Sequence, residues 1–136
     1  MKKEISIRNE ISQLKQVAGF VDEIGKELCL DGELQMNLNL VLEEMVSNII
    51  RYAYPQAADN SIGLKAESDG KQITLTLTDQ GREFDPTQMG ALDTDVNPAE
   101  RKTGGMGIFI VKNMMNQVTY QRVNGKNVVI MKKDIR

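Results

Sequence analysis

Two hydrophobic periods alternate along the chain, and the places where one gives way to the other predict its elements. Glu4 to Arg8 alternates polar and apolar residues, as a half-buried strand does. Asn9 stands where its short side chain could accept from the free amides of a first helical turn. From Glu10 to Leu28 the apolar residues Ile11, Leu14, Val17, Ala18, Val21, Ile24 and Leu28 recur at steps of three and four, which predicts a helix. Asp31-Gly32 interrupts this period. A second helix is expected from about Glu33 to Tyr54, where Pro55 stops it, with Leu38, Leu42, Met45, Ile49, Tyr52 and Ala53 as its core-facing stripe.

Period two then returns in Ser61 to Ala66 and Gln72 to Leu77, joined by Glu67-Ser68-Asp69-Gly70, whose Asp-Gly is a hairpin signal. Periodicity is lost from about Asp79 to Gly105, a stretch containing Pro86, Gly90 and Pro98. A loop of that length in a small domain points to function or disorder. A short helix, Met106 to Met115, precedes strands Val118 to Val123 and Asn127 to Lys132, which meet across Asn124-Gly125. The order β, α, α, β, β, loop, α, β, β contains no repeated βαβ crossover. It predicts an α+β fold, a two-layer sandwich with three helices on one face of a mostly antiparallel sheet.

Composition narrows the function classes. At 136 residues the chain reads as a single domain, residues 1–136, able to bury a sizeable core. The lone Cys29 allows no internal disulfide, no leader-like segment opens the chain, and no apolar run approaches a membrane span, so a cytoplasmic protein off the membrane is expected. A net charge of −2 gives no footprint for nucleic acid and favours a protein partner or small ligand. Lys126, Lys132, Lys133 and Arg136 read as a solubilising edge, and the eight methionines as core filler. The absence of histidine removes His-based acid/base catalysis and His metal sites.

Three segments carry candidate chemistry. In LVLEEMVSNIIRYAYP, Leu40 to Pro55, Glu44 and Asn48 share a stripe one turn apart, off the apolar face, with Glu43 turned away from both. A Glu–Asn pair at this spacing adds little to helix stability, so a solvated face is the plain reading and a binding face the other. In LTLTDQGREFDP, Leu75 to Pro86, Asp79 ends a strand beside a turn at Gly81, where a carboxylate could accept from an exocyclic amine of a flat ligand, or simply make an Asx turn. In RKTGGMGIFIVKNMM, Arg101 to Met115, the glycines 104, 105 and 107 open into an apolar helix, whose free first-turn amides and dipole suit a phosphate chain. No Gly-Lys-Ser/Thr follows, so this is not a Walker loop.

Taken in order and spacing, E-x-x-x-N on a helix, D-x-G-x-x-F-D after a strand and G-G-x-G opening a helix resemble the Bergerat ATP-binding fold of gyrase, heat-shock chaperone ATPases, histidine kinases and mismatch-repair ATPases. The resemblance spans essentially the whole chain. Its compact size and the stretches NIIRYAYP and GREFDP look most like the bacterial anti-sigma factor serine kinases.

The resemblance implies a mostly antiparallel, mixed five-stranded sheet with three main helices on one face, and ATP with Mg²⁺ as cofactors. It makes Glu44 the general base, Asn48 the Mg²⁺ ligand, Asp79 the adenine-binding carboxylate and Gly81 the turn behind it. Residues from about 86 to 104 correspond to a lid over the phosphates. Arg101, Thr103, Gly104, Gly105, Met106 and Gly107 line its hinge, and either Arg101 or Lys102 reaches the γ-phosphate. It further implies serine phosphorylation of an anti-anti-sigma (STAS-type) protein, sequestration of a sigma factor, and a homodimer.

The chain departs from the family pattern in three places. Tyr52 stands where a histidine is common. Asn127 occupies the start of the last strand, where a threonine often supports adenine, and is expected to hydrogen-bond in its place. Asp93, Asp95 and Glu100 put negative charge near the phosphates. The rival reading is an ATP-responsive module that sequesters a partner without phosphoryl transfer; both readings need Asp79 and the glycines, and only the kinase needs Glu44 as a base.

Overall fold

A computed structural model describes residues 1–53, 60–88 and 104–136, with side chains from Gly107 onward in the last segment. The chain opens with strand β1 (Lys2–Arg8), a 3-10 turn (Ile11–Gln13) and helix α1 (Leu14–Leu28). Helix α2 (Gly32–Asn48) runs on into a π-helical turn (Ile49–Ala53). Strands β2 (Ser61–Ser68) and β3 (Gln72–Asp79) follow, then a 3-10 turn (Pro86–Gln88), helix α3 (Gly104–Met114) and strands β4 (Gln117–Val123) and β5 (Lys126–Asp134).

The five strands form one sheet in the order β1-β2-β3-β5-β4, and every pairing is antiparallel. This is the expected α+β architecture. Period two appears directly as burial: Ile62, Leu64 and Ala66 on β2, Ile73, Leu75 and Leu77 on β3, and Val129 and Met131 on β5 are buried while their neighbours are not. Against this face lie Val17, Phe20, Val21 and Ile24 of α1, Leu38, Val41, Leu42, Met45 and Val46 of α2, and Ile108 and Val111 of α3. Each such side chain contributes roughly 1.5 to 3 kcal/mol by leaving water. No described helix is long and apolar enough to cross a membrane.

Both hairpins turn where Gly was expected. Gly70 has φ +94°, and the Asp69 carboxylate accepts from the amides of Lys71 and Gln72. Asn124 and Gly125 both have positive φ, +50° and +77°, the two-residue turn that matches strand twist. That turn sets the register Arg122↔Asn127.

Three expectations change. Asn9 caps no helix; its side chain accepts from the Asn60 amide and its own N–H donates to the Asn60 carbonyl, because β1 and β2 end together there. The first helix, expected from Glu10, becomes α-helical only at Leu14 and carries no side-chain cap; Asp31 caps α2, its carboxylate accepting from Leu34 N–H at 2.8 Å. The second helix does not continue as an α-helix to Tyr54: after Asn48 it widens into the π turn, and Tyr54 and Pro55 lie outside the described residues.

Candidate functional site

One row of the sheet carries polar groups on the helix-facing side. Asp79 lies opposite Ile62 on β2 and Asn127 on β5, and Asn127 lies opposite Arg122 on β4. Asp79 and Asn127 are only 2% and 1% exposed, so their polar atoms must find partners inside the protein. Asp79 Oδ1 accepts from the Gly81 N–H and from Asn127 Nδ2, each at 2.9 Å. Among the described residues no hydrogen bond reaches its Oδ2. Burial pushes the Asp79 carboxyl above its ordinary value, opposed by the Asn127 and Gly81 hydrogen bonds and by the Arg122 charge. The result is a carboxylate with one oxygen held and the other left as an acceptor.

Asn127 is placed behind Asp79. Its second amide hydrogen goes to the Arg82 carbonyl at 2.8 Å, while its Oδ1 accepts from Phe84 N–H, Tyr120 O–H and Arg122 Nη1. The expectation that Asn127 hydrogen-bonds a ligand directly does not fit this geometry, since both of its N–H groups and its carbonyl are already engaged within the protein.

The turn after Asp79 is anchored to the end of the second helix. Arg82 donates from its backbone N–H to the Ala53 carbonyl at 3.0 Å and from Nε to the Tyr52 carbonyl at 2.7 Å. These are carbonyls of the π turn, where regular i to i+4 pairing has ended. Gly81 sits directly on Ala53: a Cβ there would lie 2.6 Å from the Ala53 oxygen. Tyr52 packs its ring on Phe84, centroids 5.8 Å apart, so the aromatic that replaces the expected histidine braces this turn.

On α2 itself, Glu43 is exposed, Glu44 half-buried and Asn48 fully buried. The Glu44/Asn48 stripe is therefore not a solvated face. Neither Asn48 Oδ1 nor Nδ2 has a hydrogen-bond partner among the described residues. A buried amide left unpaired costs about 1 to 3 kcal/mol, and such an orphan is a fit for a ligand oxygen or a hard cation. Among the described residues no cluster of three or more His, Cys, Asp or Glu could hold a metal, so a cation here needs oxygens from the ligand as well. The Glu44 carboxylate lies against Gly107 at the start of α3, so close that a Cβ on Gly107 would overlap it. The structure thus brings Glu44 to Gly107, near the helix N-terminus whose amides suit phosphate, and ties the turn that holds Asp79 to the π turn that follows α2.

Gly104, Gly105 and Met106 lie in the first turn of α3. Arg101, Lys102 and Thr103, and most of the expected lid, lie outside the described residues; its first part, Pro86–Gln88, is a 3-10 turn in which Asp85 accepts from the Thr87 amide. Sequence reasoning missed Arg82, Tyr120 and Arg122. The two-residue turn at Asn124-Gly125 carried the signal for Arg122, because it fixes Arg122 opposite Asn127. Nothing comparable pointed to Arg82.

Comparison with known proteins bears on the family and the fold. The family described as the histidine kinase-like ATPase domain matches residues 7–133. The serine/threonine-protein kinase BtrW of Bordetella bronchiseptica is 27% identical over 94 residues, covering 69% of this chain and 66% of BtrW. The serine-protein kinase RsbW of Staphylococcus epidermidis is 26% identical over 98 residues, covering 68% of this chain and 62% of that protein. The chain thus matches less than two thirds of the length of these relatives. Among solved structures, the RsbU and RsbW domains of Rv1364c from Mycobacterium tuberculosis align with 99% of this chain and 32% of that one at a TM-score of 0.71 and 14% identity. The catalytic domain of the histidine kinase ThkA aligns with 98% and 97% at 0.54 and 12%. At such identities the structural likeness is one of fold. With the family match running from β1 into β5, the chain belongs to the histidine kinase-like ATPase domain family, and its sequence relatives there include serine-protein kinases.

Proposed function

We propose that this protein is an ATP-dependent serine kinase of the anti-sigma type, acting in the cytoplasm as a homodimer on an anti-anti-sigma (STAS-type) protein and holding a sigma factor in its other state. The observation that carries this reading is Asn48: a fully buried side chain with both polar atoms unpartnered, one helical turn beyond a half-buried Glu44 that abuts the start of α3. The names of the sequence relatives support the kinase class.

In this reading Asp79 Oδ2 accepts from the 6-amino group of adenine, with Gly81 allowing the base to lie against the turn. The first-turn amides of α3, from Gly104, Gly105, Met106 and Gly107, receive phosphate oxygens. Asn48 Oδ1 is the protein ligand for Mg²⁺, which when bound neutralises charge on the phosphates. Glu44 accepts the proton of the serine hydroxyl as its oxygen forms a bond to the γ-phosphorus and the bond to the ADP oxygen breaks.

The test is transfer of labelled phosphate from ATP to a co-purified partner protein. Glu44→Gln keeps shape but cannot take the proton, so transfer should fall by about 10² to 10⁴ with Mg-ATP binding nearly unchanged. No transfer by wild type would overturn the kinase reading, and equal transfer by wild type and Glu44→Gln would overturn Glu44 as the base.

A further inference from the structure

We propose that Tyr120 and Arg122 on β4 are specificity-determining residues, which orient Asn127 and the Gly81 turn so that Asp79 presents a single, acceptor-only oxygen to a purine amino group. This rests on reading Asp79 as the base-binding carboxylate.

The Asn127 carboxamide has two orientations open to it, related by exchange of Oδ1 and Nδ2. Three donors converge on its Oδ1: Tyr120 O–H at 2.7 Å, Arg122 Nη1 at 3.0 Å and Phe84 N–H at 3.2 Å. Two acceptors face its Nδ2: Asp79 Oδ1 at 2.9 Å and the Arg82 carbonyl at 2.8 Å. Turned over, the amide nitrogen would confront the donor-only Phe84 N–H and Arg122 Nη1, and its oxygen would confront a carboxylate and a carbonyl. Four favourable contacts would become four repulsive ones, while the Tyr120 hydroxyl, able to donate or accept, would turn to follow the amide. Of the two donors that decide the matter, the one that carries charge comes from β4, and the Tyr120 O–H strengthens the orientation it sets.

Arg122 acts twice. The same Nη1 that donates to Asn127 also donates to the Gly81 carbonyl at 2.9 Å. Gly81 and Asn127 are the two residues whose N–H groups hold Asp79 Oδ1. One guanidinium nitrogen therefore holds both of the groups that hold the carboxylate. The two N–H donors on Oδ1 and the nearby Arg122 charge favour the ionised carboxylate, in which Oδ2 faces a ligand as an acceptor. An amino group at C6 of a purine matches this; an oxo group there sets lone pairs against lone pairs. Tyr120 and Arg122 touch no ligand in this scheme, and discriminate through the orientation they impose.

The experiment compares ATP with purine riboside triphosphate, which lacks only the 6-amino group, by calorimetry in the presence of Mg²⁺. Wild type should prefer ATP by about tenfold or more, the worth of one hydrogen bond to a charged group. Tyr120→Phe and Arg122→Met should each lower that preference by about two- to tenfold, the worth of one hydrogen bond, and the double variant by more. Thermal melting checks that each variant is folded; if Arg122→Met is not, Tyr120→Phe, which removes a single oxygen, decides alone. A purely structural role would weaken both nucleotides equally and leave the ratio unchanged, and that result overturns the inference while the adenine reading stands. A wild-type protein that does not distinguish the two nucleotides overturns the adenine reading, and the inference with it.

Discussion

The Glu44 carboxylate and the Cα of Gly107 are in direct contact, with no room between them for a methyl group. A substitution at Gly107 therefore reports on the carboxylate without touching it chemically. Alanine favours a helix over glycine by about 1 kcal/mol, and the far end of the flexible Glu44 side chain can swing aside. Gly107→Ala should fold with unchanged or slightly raised thermal stability, yet lose phosphate transfer by about 10²-fold or more, as Glu44→Gln does. Melting curves and transfer assays on the same preparation check this; a fully active Gly107→Ala would remove Glu44 from the chemistry.

Gly81 gives the contrasting case. A Cβ there would meet the Ala53 carbonyl oxygen at 2.6 Å and the Ala53 Cβ at 2.9 Å, and backbone cannot swing aside. Gly81→Ala is expected to destabilise the protein by about 1 to 3 kcal/mol and to break the Arg82 N–H to Ala53 bond. Urea unfolding measures the loss, and ATP binding should weaken in parallel because the same turn holds Asp79.

Asn48 should show opposite signs for stability and for binding. Replacing an unpartnered buried amide by a similarly shaped apolar side chain removes a desolvation penalty, so Asn48→Leu should leave the nucleotide-free protein as stable as wild type or about 1 kcal/mol more so. The rise in melting temperature that Mg-ATP gives the wild type should vanish in the variant. A destabilised apo variant that still responds to Mg-ATP would contradict the ligand role.

The pH dependence follows from Asp79. Burial raises its carboxyl above the ordinary value of 3.8, so from about pH 4 upward the folded state binds this proton more readily than the unfolded chain. Its contribution to stability is accordingly present at low pH and lost as pH rises through the raised value. ATP needs the ionised acceptor, so affinity should increase over the same window. Asp79→Asn keeps an acceptor for Gly81 and Asn127 but cannot ionise. It should flatten that part of the stability profile, be at least as stable as wild type at pH 7, and bind ATP roughly 10- to 150-fold less tightly. Denaturant unfolding and calorimetry at pH 5 and 7 distinguish the two trends.

The amino-acid sequence by itself determined the element order and the two hairpin turns and singled out three candidate segments, because these depend on local period, on glycine at positive φ and on short motifs. It correctly set Leu38, Leu42, Met45, Ile49 and Ala53 on one buried stripe of the second helix. It did not determine what lies on the neighbouring stripe. Asn48 is buried, not wetted, a fact of the tertiary packing around the helix end that helical period cannot express. Asn127, expected to face a ligand, instead has its hydrogen-bonding groups occupied by partners on other segments: Asp79, the Arg82 carbonyl, Tyr120 and Arg122. The Arg82 clamp joins residues thirty positions apart in the chain. Such bonds exist only once β3, β4, β5 and the π turn converge, and that convergence decides which side chains support the site from behind and which are left to meet a ligand.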